Sequence, residues 1–245
     1  MKKLSKTSVF LLIISGLIFL YLKAQPSKGV SVGKNIYQTK LLYKDNFDEK
    51  KDMWVVEQMP GGKTSWMNGK LDIRDKSGCT VWFKKKLKAP VIIEYNVTMI
   101  DSGAVNERSS DLNCFWMAID PDNPDNLFKN SEERGGNFSN YHPLRCYYVG
   151  YGANWNTTTR FRRYPGDGSR PLLPEHDLKK KKYMNMPNQK RKVQIVSKKE
   201  QLLYVVDGEV VFDIIDKKPY TEGWFGFRTV KNHMKIDNFR VYRIK

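Results

Sequence analysis

Cysteine is scarce in this chain, three residues in 245. That count is too small for a disulfide-framed mini-protein. Long apolar runs are scarcer: there is one, at the start, so a multi-span membrane protein is excluded. No Gly-rich phosphate loop is present. From residue 41 to residue 245 no window carries the period of an amphipathic helix. Acidic residues are outnumbered, 26 against 43 basic, which leaves a formal charge of +17. What is present suffices for a core: 40% of residues are apolar and 13% aromatic, which excludes general disorder. The length fits one large domain or two small ones, and a single all-β sandwich of this size is ordinary. The charge surplus admits nucleic acid, membrane or acidic glycan as partner.

The single apolar run opens the chain. Lys2, Lys3 and Lys6 make a basic start, and the sixteen residues from Thr7 to Leu22 carry no charge. This is shorter than the roughly 18 apolar residues of a spanning helix. Residues 1–24 are therefore expected to be a secretory signal peptide cut after Ala24, or an uncleaved anchor with Lys23 at the membrane edge. No cysteine lies near the cut, so a bacterial lipid anchor is not expected. The segment holds four lysines and no acid, and without it the charge falls from +17 to +13. Export makes nucleic acid a poor partner and acidic polysaccharide a better one. Membrane contact is expected only through this segment, if it stays uncleaved.

From residue 41 the dominant period is two. In Val91 to Met99 the apolar residues Val91, Ile93, Tyr95, Val97 and Met99 alternate with Glu94, Asn96 and Thr98, the pattern of a half-buried antiparallel strand. Similar runs occur at Leu71–Ile73, Thr80–Phe83, Asn113–Ile119, Tyr147–Tyr151, Thr159–Tyr164, Val193–Val196, Gly223–Thr229 and Lys235–Arg243. Leu202–Val206 and Val210–Ile214 flank Asp207-Gly208, a hairpin signal. Many short strands with polar turns predict an all-β sandwich or jelly roll over residues 41–245. Residues 25–40 read as a polar tether. Two long connections, Pro121–Leu144 and Pro165–Gln189, are rich in turn residues, and loops this long are usually functional or disordered.

Several motifs carry a resemblance. They are Arg108 to Ala118 with Asp120-Pro121, Tyr147 to Gly152, Asn154, Asn156, Thr157 to Tyr164, Arg170 to Leu173, and Glu175-His176-Asp177. Together they resemble a bacterial family of exported proteins, a domain of unknown function with a concanavalin A-like jelly-roll fold, associated with polysaccharide degradation in Bacteroidetes. The closing Gly223–Thr229 and Ile236–Tyr242 are similar to the last strands of laminin-G and glucanase-like sandwiches. The likeness covers residues 41–244. It implies a Gram-negative periplasmic or extracellular protein that processes glycan, and it transfers no catalytic residues.

In the strand Thr159–Tyr164, Arg160, Arg162 and Tyr164 share a face, with the two guanidiniums about 7 Å apart by strand rise. That spacing suits carboxylates on neighbouring sugars, or two oxygens of one sulfated unit; the alternative is pairing with acids on a neighbouring strand. Trp116, expected to share a face with Cys114 and Ala118 opposite Phe115, Met117 and Ile119, is a candidate sugar-stacking platform or else a second core face. Asn154, Asn156 and Arg108 are further candidate substrate contacts. A lyase acting at a uronate needs a base, a proton donor and a cation on the carboxylate. His142 or His176 could serve as base, Tyr141, Tyr148 or Tyr164 as donor, and Arg160 with Arg162 as neutralisers. Each histidine has the alternative of an ordinary loop residue, and His233 reads as structural.

A hydrolase needs two carboxylates flanking the bond. Asp111, Glu107, Glu175 and Asp177 are the candidates, but the E-x-D-x-x-E strand of familiar jelly-roll glucanases is absent, and Glu94 stands alone. Asp120, Asp122 and Asp125 could hold a structural calcium, although the EF-hand pattern is not met; the alternative is a solvated turn. No other cofactor is expected. Cys79, Cys114 and Cys146 are too separated for a zinc motif and read as small buried residues. The sequence thus predicts an exported jelly-roll protein acting on an anionic polysaccharide, foremost as a lyase, with its site on a sheet face under the two long loops. The alternatives are a non-catalytic carbohydrate-binding module and a glycoside hydrolase using an Asp/Glu pair.

Overall fold

The fold is given by a computed structural model that describes residues 29–245. The expected signal or anchor segment, residues 1–24, lies outside the described residues. The described chain begins with β1 (Val30–Val32), β2 (Asn35–Tyr37), β3 (Thr39–Asp45), β4 (Trp54–Gln58), β5 (Lys63–Met67) and β6 (Lys70–Arg74). The longer β7 (Cys79–Lys88), β8 (Val91–Ile100), β9 (Leu112–Ile119), β10 (Arg145–Gly152) and β11 (Thr158–Pro165) come next. Then come β12 (Asp177–Leu178), β13 (Lys190–Lys198), β14 (Gln201–Val206), β15 (Glu209–Ile215), β16 (Glu222–Thr229) and β17 (His233–Ile244). Among the described residues helix is confined to single turns, the longest of four residues.

Two antiparallel sheets face each other. One has the order β12-β11-β10-β9-β16-β7-β4. The other runs β15-β14-β13-β8-β17-β6-β5, and β3 also pairs with β17. Between them lies the main core, whose centre is a cluster of Trp54, Phe83, Tyr95, Phe225, Phe227 and Phe239. In β8 the odd-numbered residues from Val91 to Met99 point into this core, as the alternation predicts.

The residues expected as a tether are, where described, part of the fold. β1 and β2 form a hairpin in which Val30 faces Tyr37, and β3 begins at Thr39. The reason is on the far side of the second sheet. Ile92, Val196, Leu203 and Val205 point away from the main core, and Val32 and Tyr37 of the hairpin close over them. Removing that apolar surface from water stabilises the hairpin at roughly 25 cal/mol per Å².

β9 departs from simple alternation. Met117 has φ of 50°, and the register against both neighbours slips beside it. The result is a bulge. Leu112, Cys114, Trp116 and Met117 all point into the main core, while Phe115, Ala118 and Ile119 belong to a second cluster on the outer face. The expected grouping of Met117 with Phe115 is therefore corrected. The bulge needs Gly223 beside it, because a Cβ there would stand 2.3 Å from the Met117 carbonyl carbon.

The three cysteines are free thiols and fully buried, and none is near a zinc-like group among the described residues. Burial pushes Cys79 and Cys114 up to about 12 and raises Cys146 as well. Native protein should therefore leave dithionitrobenzoate unreacted, and denatured protein should titrate all three thiols. A native thiol reacting as fast as the denatured ones would contradict the burial.

Candidate functional site

The outer face of the seven-stranded sheet is organised in two rows, each set by strand register. The first runs Glu57, Thr80, Arg228, Asn113, Gly150, Arg160, Asp177 across all seven strands. The second runs Val55, Trp82, Gly226, Phe115, Tyr148, Arg162. One row is polar and the next largely aromatic. The first long connection lies on the aromatic row. Its Leu127, Tyr141 and Leu144 pack with Trp82, Phe115, Tyr148, Tyr164 and Trp224. Tyr141 stacks on Phe115 at 5.6 Å and 13°.

Glu57 fastens that connection. It is 2% exposed. Its carboxylate accepts from Ser131 Oγ (2.7 Å), Arg134 Nη2 (2.7 Å), Arg134 Nε (3.2 Å), Tyr141 Oη (2.6 Å) and Trp82 Nε1 (3.0 Å). A carboxylate offers about four lone-pair sites, so this one is saturated. Arg134 also donates to the Leu127 carbonyl, and the Gly136 carbonyl accepts from Arg228 Nη1 at 2.6 Å. The connection is thereby held at a fixed height above the sheet.

Beside it a cleft of about 420 Å³ opens on the polar row. Its floor is Asn113, Tyr148, Gly150, Arg160, Arg162 and Arg228, and its walls include Asn137, Phe138, Asn154 and Arg170. Both long connections contribute, Asn137 and Phe138 from the first and Arg170 from the second. Arg228 is 2% exposed; it donates to Thr80 Oγ1 and the Gly136 carbonyl and lies against the rings of Phe138 and Tyr141. Arg162 donates to the Arg170 carbonyl. Among the described residues neither Arg162, Arg170 nor Arg228 has a carboxylate partner. Burial lowers the Arg162 pKa from its ordinary value, and Arg170 and Arg160 lower it further against an opposing pull from Tyr164. Arg160 does pair across the strands, with Asp177 at 2.9 Å.

The one carboxylate lining the cleft, Asp111, is already neutralised. Arg108 Nη2 is 2.8 Å from it and Ser110 Oγ 2.6 Å. One buried polar atom in the cleft, Asn113 Oδ1, has no partner among the described residues, and the cleft is also lined by Tyr148. Gly150 makes room for the latter, since a Cβ there would meet the Tyr148 hydroxyl at 3.3 Å. Burial raises the Tyr148 pKa well above its ordinary value, and Tyr164 and Asp111 add to the effect.

The remaining sequence candidates fall elsewhere. Trp116 is 1% exposed in the main core, so its indole presents no face to a sugar. Tyr141 is buried on Glu57, and burial followed by that carboxylate raises its pKa. Tyr164 is fully buried. His142 sits edge-on to Phe138 behind the cleft wall, with Nε2 buried and unpartnered; burial, then Arg170 and Arg162, lower its pKa. His176 lies on the opposite side of β11, against Phe161 and Phe212, in a separate cavity of about 300 Å³. The two histidines and Arg160 therefore do not share a groove. Asn156 pairs with the backbone of Asn185, and Arg108 spends four of its five N–H donors on Ser110, Asp111 and the carbonyls of Val230 and Lys231.

The acidic candidates also disperse. Glu107 bonds His233, which is buried between it and Asp72; Asp177 holds Arg160; Glu175 lies in a turn. No two of the proposed hydrolase carboxylates line the cleft. Asp120 accepts from the Asp122 amide and from Asn130, whereas Asp125 reaches out to Lys86. Among the described residues no three His, Cys, Asp or Glu side chains gather to hold a metal.

Sequence reading passed over Arg228, Arg170, Asn113 and Glu57. For Arg228 a signal existed: period two in Gly223–Thr229 places it opposite Phe225 and Phe227. For Glu57 there was none, because Trp54–Gln58 shows no apolar alternation.

A family model described as "Domain of unknown function (DUF6250)" matches residues 73–239. No curated protein matches the chain. Among solved structures, a protein of unknown function with a galectin-like fold from Bacillus subtilis superposes with a TM-score of 0.65 at 17% identity, over 85% of this chain and 100% of that one. An endo-β-1,3-glucanase from Pyrococcus furiosus gives 0.53 at 14%, over 90% and 99%. A carbohydrate-binding module from Bacillus subtilis gives 0.52 at 12%, over 76% and 93%. These likenesses establish the fold as the concanavalin A-like, galectin-like jelly roll.

Removing one member of a buried ion pair strands the other charge, at a cost of about 3–5 kcal/mol. Glu57→Ala should lower the unfolding free energy in urea by that amount. A loss under about 1 kcal/mol, the size of an exposed pair, would show that Glu57 does not fasten the connection.

Proposed function

The chain belongs to the family described as DUF6250, and on that premise we propose that it recognises an anionic glycan in the arginine-lined cleft of the seven-stranded sheet. The carrying observation is the charge inventory of the cleft. Four arginines line it against one carboxylate, which is held by Arg108; Arg160 is paired with Asp177, and Arg162, Arg170 and Arg228 have no carboxylate partner among the described residues. Uncompensated guanidiniums in a partly desolvated cleft favour a carboxylate or sulfate, which they can bind in bidentate fashion. The unpartnered Asn113 Oδ1 and the Tyr148 hydroxyl suit the hydroxyls of a sugar. The fold neighbours whose names specify carbohydrate, the glucanase and the binding module, support a polysaccharide as the carrier of that charge. The proposal includes export, for which the basic and then apolar residues 1–24 are the support.

Recognition is favoured over turnover by the proton inventory. A lyase needs a group in the cleft that accepts a proton at neutral pH. Arginine does not deprotonate, and the raised pKa of Tyr148 keeps its phenol protonated, which suits a donor. Neither His142 nor His176 lines the cleft. A hydrolase lacks its second carboxylate there.

Calorimetric titration with polygalacturonate, chondroitin sulfate and a neutral β-glucan tests the reading. At least one anionic polymer should bind and the neutral one should not. Arg162→Ala should weaken binding about tenfold or more, and Lys181→Ala, which changes an exposed charge outside the cleft, should leave it unchanged. Binding indifferent to both polymer charge and Arg162 would contradict the proposal. New unsaturated-uronate absorbance, abolished by Tyr148→Phe, would establish the lyase instead.

A further inference from the structure

Trp155 is the only tryptophan with an exposed side chain among the described residues, at 71%. It sits in an unusual turn. Asn154, Trp155 and Asn156 have φ of 50°, 60° and 61°, three consecutive non-glycine residues in the left-handed region. Such a conformation costs an L-residue about 1–2 kcal/mol, and a bulky residue rarely adopts it. The turn is held in place from several directions. Thr157 N donates to the Ala153 carbonyl and Thr157 Oγ1 to the Asn154 carbonyl. Asn156 clasps the Asn185 backbone at both its amide and its carbonyl.

The turn puts Trp155 at the rim of the cleft. Its neighbour Asn154 lines the cleft wall. The indole lies over the Arg108 guanidinium at 4.3 Å. Arg108 in turn bonds Asp111 and the Val230 carbonyl, and both of those residues line the cleft. With every N–H-bearing nitrogen of Arg108 committed, the guanidinium is a rigid mount for one face of the ring. The 71% exposure leaves the other face to solvent.

We propose that Trp155 is the sugar-stacking platform of this protein, and that the ligand is an oligosaccharide with an anionic unit on the cleft arginines and an adjacent ring on the open indole face. The inference rests on the anionic-glycan reading of the cleft. A flat aromatic surface takes the C–H face of a pyranose ring, while its amphipathic edge tolerates water. The role expected for Trp116 is thereby assigned to a residue that the turn, not a strand, presents. The class of ligand is narrowed as well: two or more linked rings should bind far better than one charged sugar alone.

Glycine accepts a φ of 60° without steric strain, so Trp155→Gly removes the ring while the backbone of the turn stays accessible. Titrations with polygalacturonate and chondroitin sulfate would compare wild type, W155G, W155F and R162A, alongside acrylamide quenching of tryptophan fluorescence. The expected result is binding about tenfold weaker in W155G, within about threefold of wild type in W155F, and reduced quenching of wild type at saturation. If W155G binds like wild type while R162A has lost affinity, the platform is overturned and the cleft reading stands. If neither polymer binds wild type, both are overturned.

Discussion

Glu57 is the only carboxylate carried by β4, and it lies beneath the first long connection without access to water. Desolvating a carboxylate and a guanidinium costs several kcal/mol per ion, and the mutual attraction repays it only when every lone pair finds a donor. Here each oxygen does. Trp82 supplies a donor from the sheet, and Ser131, Arg134 and Tyr141 supply donors from the connection. One carboxylate thus ties the irregular chain from Pro121 to Leu144 to a regular sheet. Everything above the sheet inherits its position from that tie: the Gly136 carbonyl that orients Arg228, and Asn137 and Phe138 in the cleft wall.

The two rows on the sheet divide the labour. The aromatic row, with Trp82 stacked on Phe115 and Phe115 on Tyr141, supplies the apolar area that anchors the connection. The polar row continues past the edge of that cover, and there Arg228, Asn113 and Arg160 stand in register on three strands with Gly150 opening space between them. A structural arginine is normally matched by a carboxylate on the next strand, as Arg160 is by Asp177, or on a neighbouring segment, as Arg163 is by Asp216. Arg162, Arg170 and Arg228 are not matched in this way among the described residues. The chain's large positive charge is mostly spread over exposed lysines, but these arginines concentrate part of it in a concavity, where low-dielectric walls strengthen its pull on an anion.

How much of this was legible in sequence depends on how local the cause is. The alternation in Val91–Met99 and the shared face of Arg160 and Arg162 follow from strand geometry alone, and the structure agrees with both. Trp116 shares the face of Cys114 as strand geometry predicts, but the faces of Met117 and Ala118 turn on one bulge at Met117, a single residue that reverses the parity of its successors in the strand and is permitted by Gly223 on another strand. β1 and β2 read as tether because their burial comes from the far face of β8, β13 and β14, which no local pattern in 25–40 reveals. The histidines lie in loops, and loop side chains go where distant anchors such as Glu57 send them. Trp155 was invisible for a similar reason: its exposure depends on a left-handed turn that Asn154 and Asn156 tolerate and a clasp to Asn185 maintains.

In the proposed complex the unmatched arginines of the outer sheet face, and not the loop histidines, receive the ligand. A crystal structure of the protein with a bound uronate oligosaccharide tests this most directly. A sugar carboxylate is expected within hydrogen-bonding distance of Arg162, in a cleft walled by Asn137, Phe138 and Asn154. An oligosaccharide bound in the cavity around His176, or elsewhere on the surface with this cleft vacant, would contradict it.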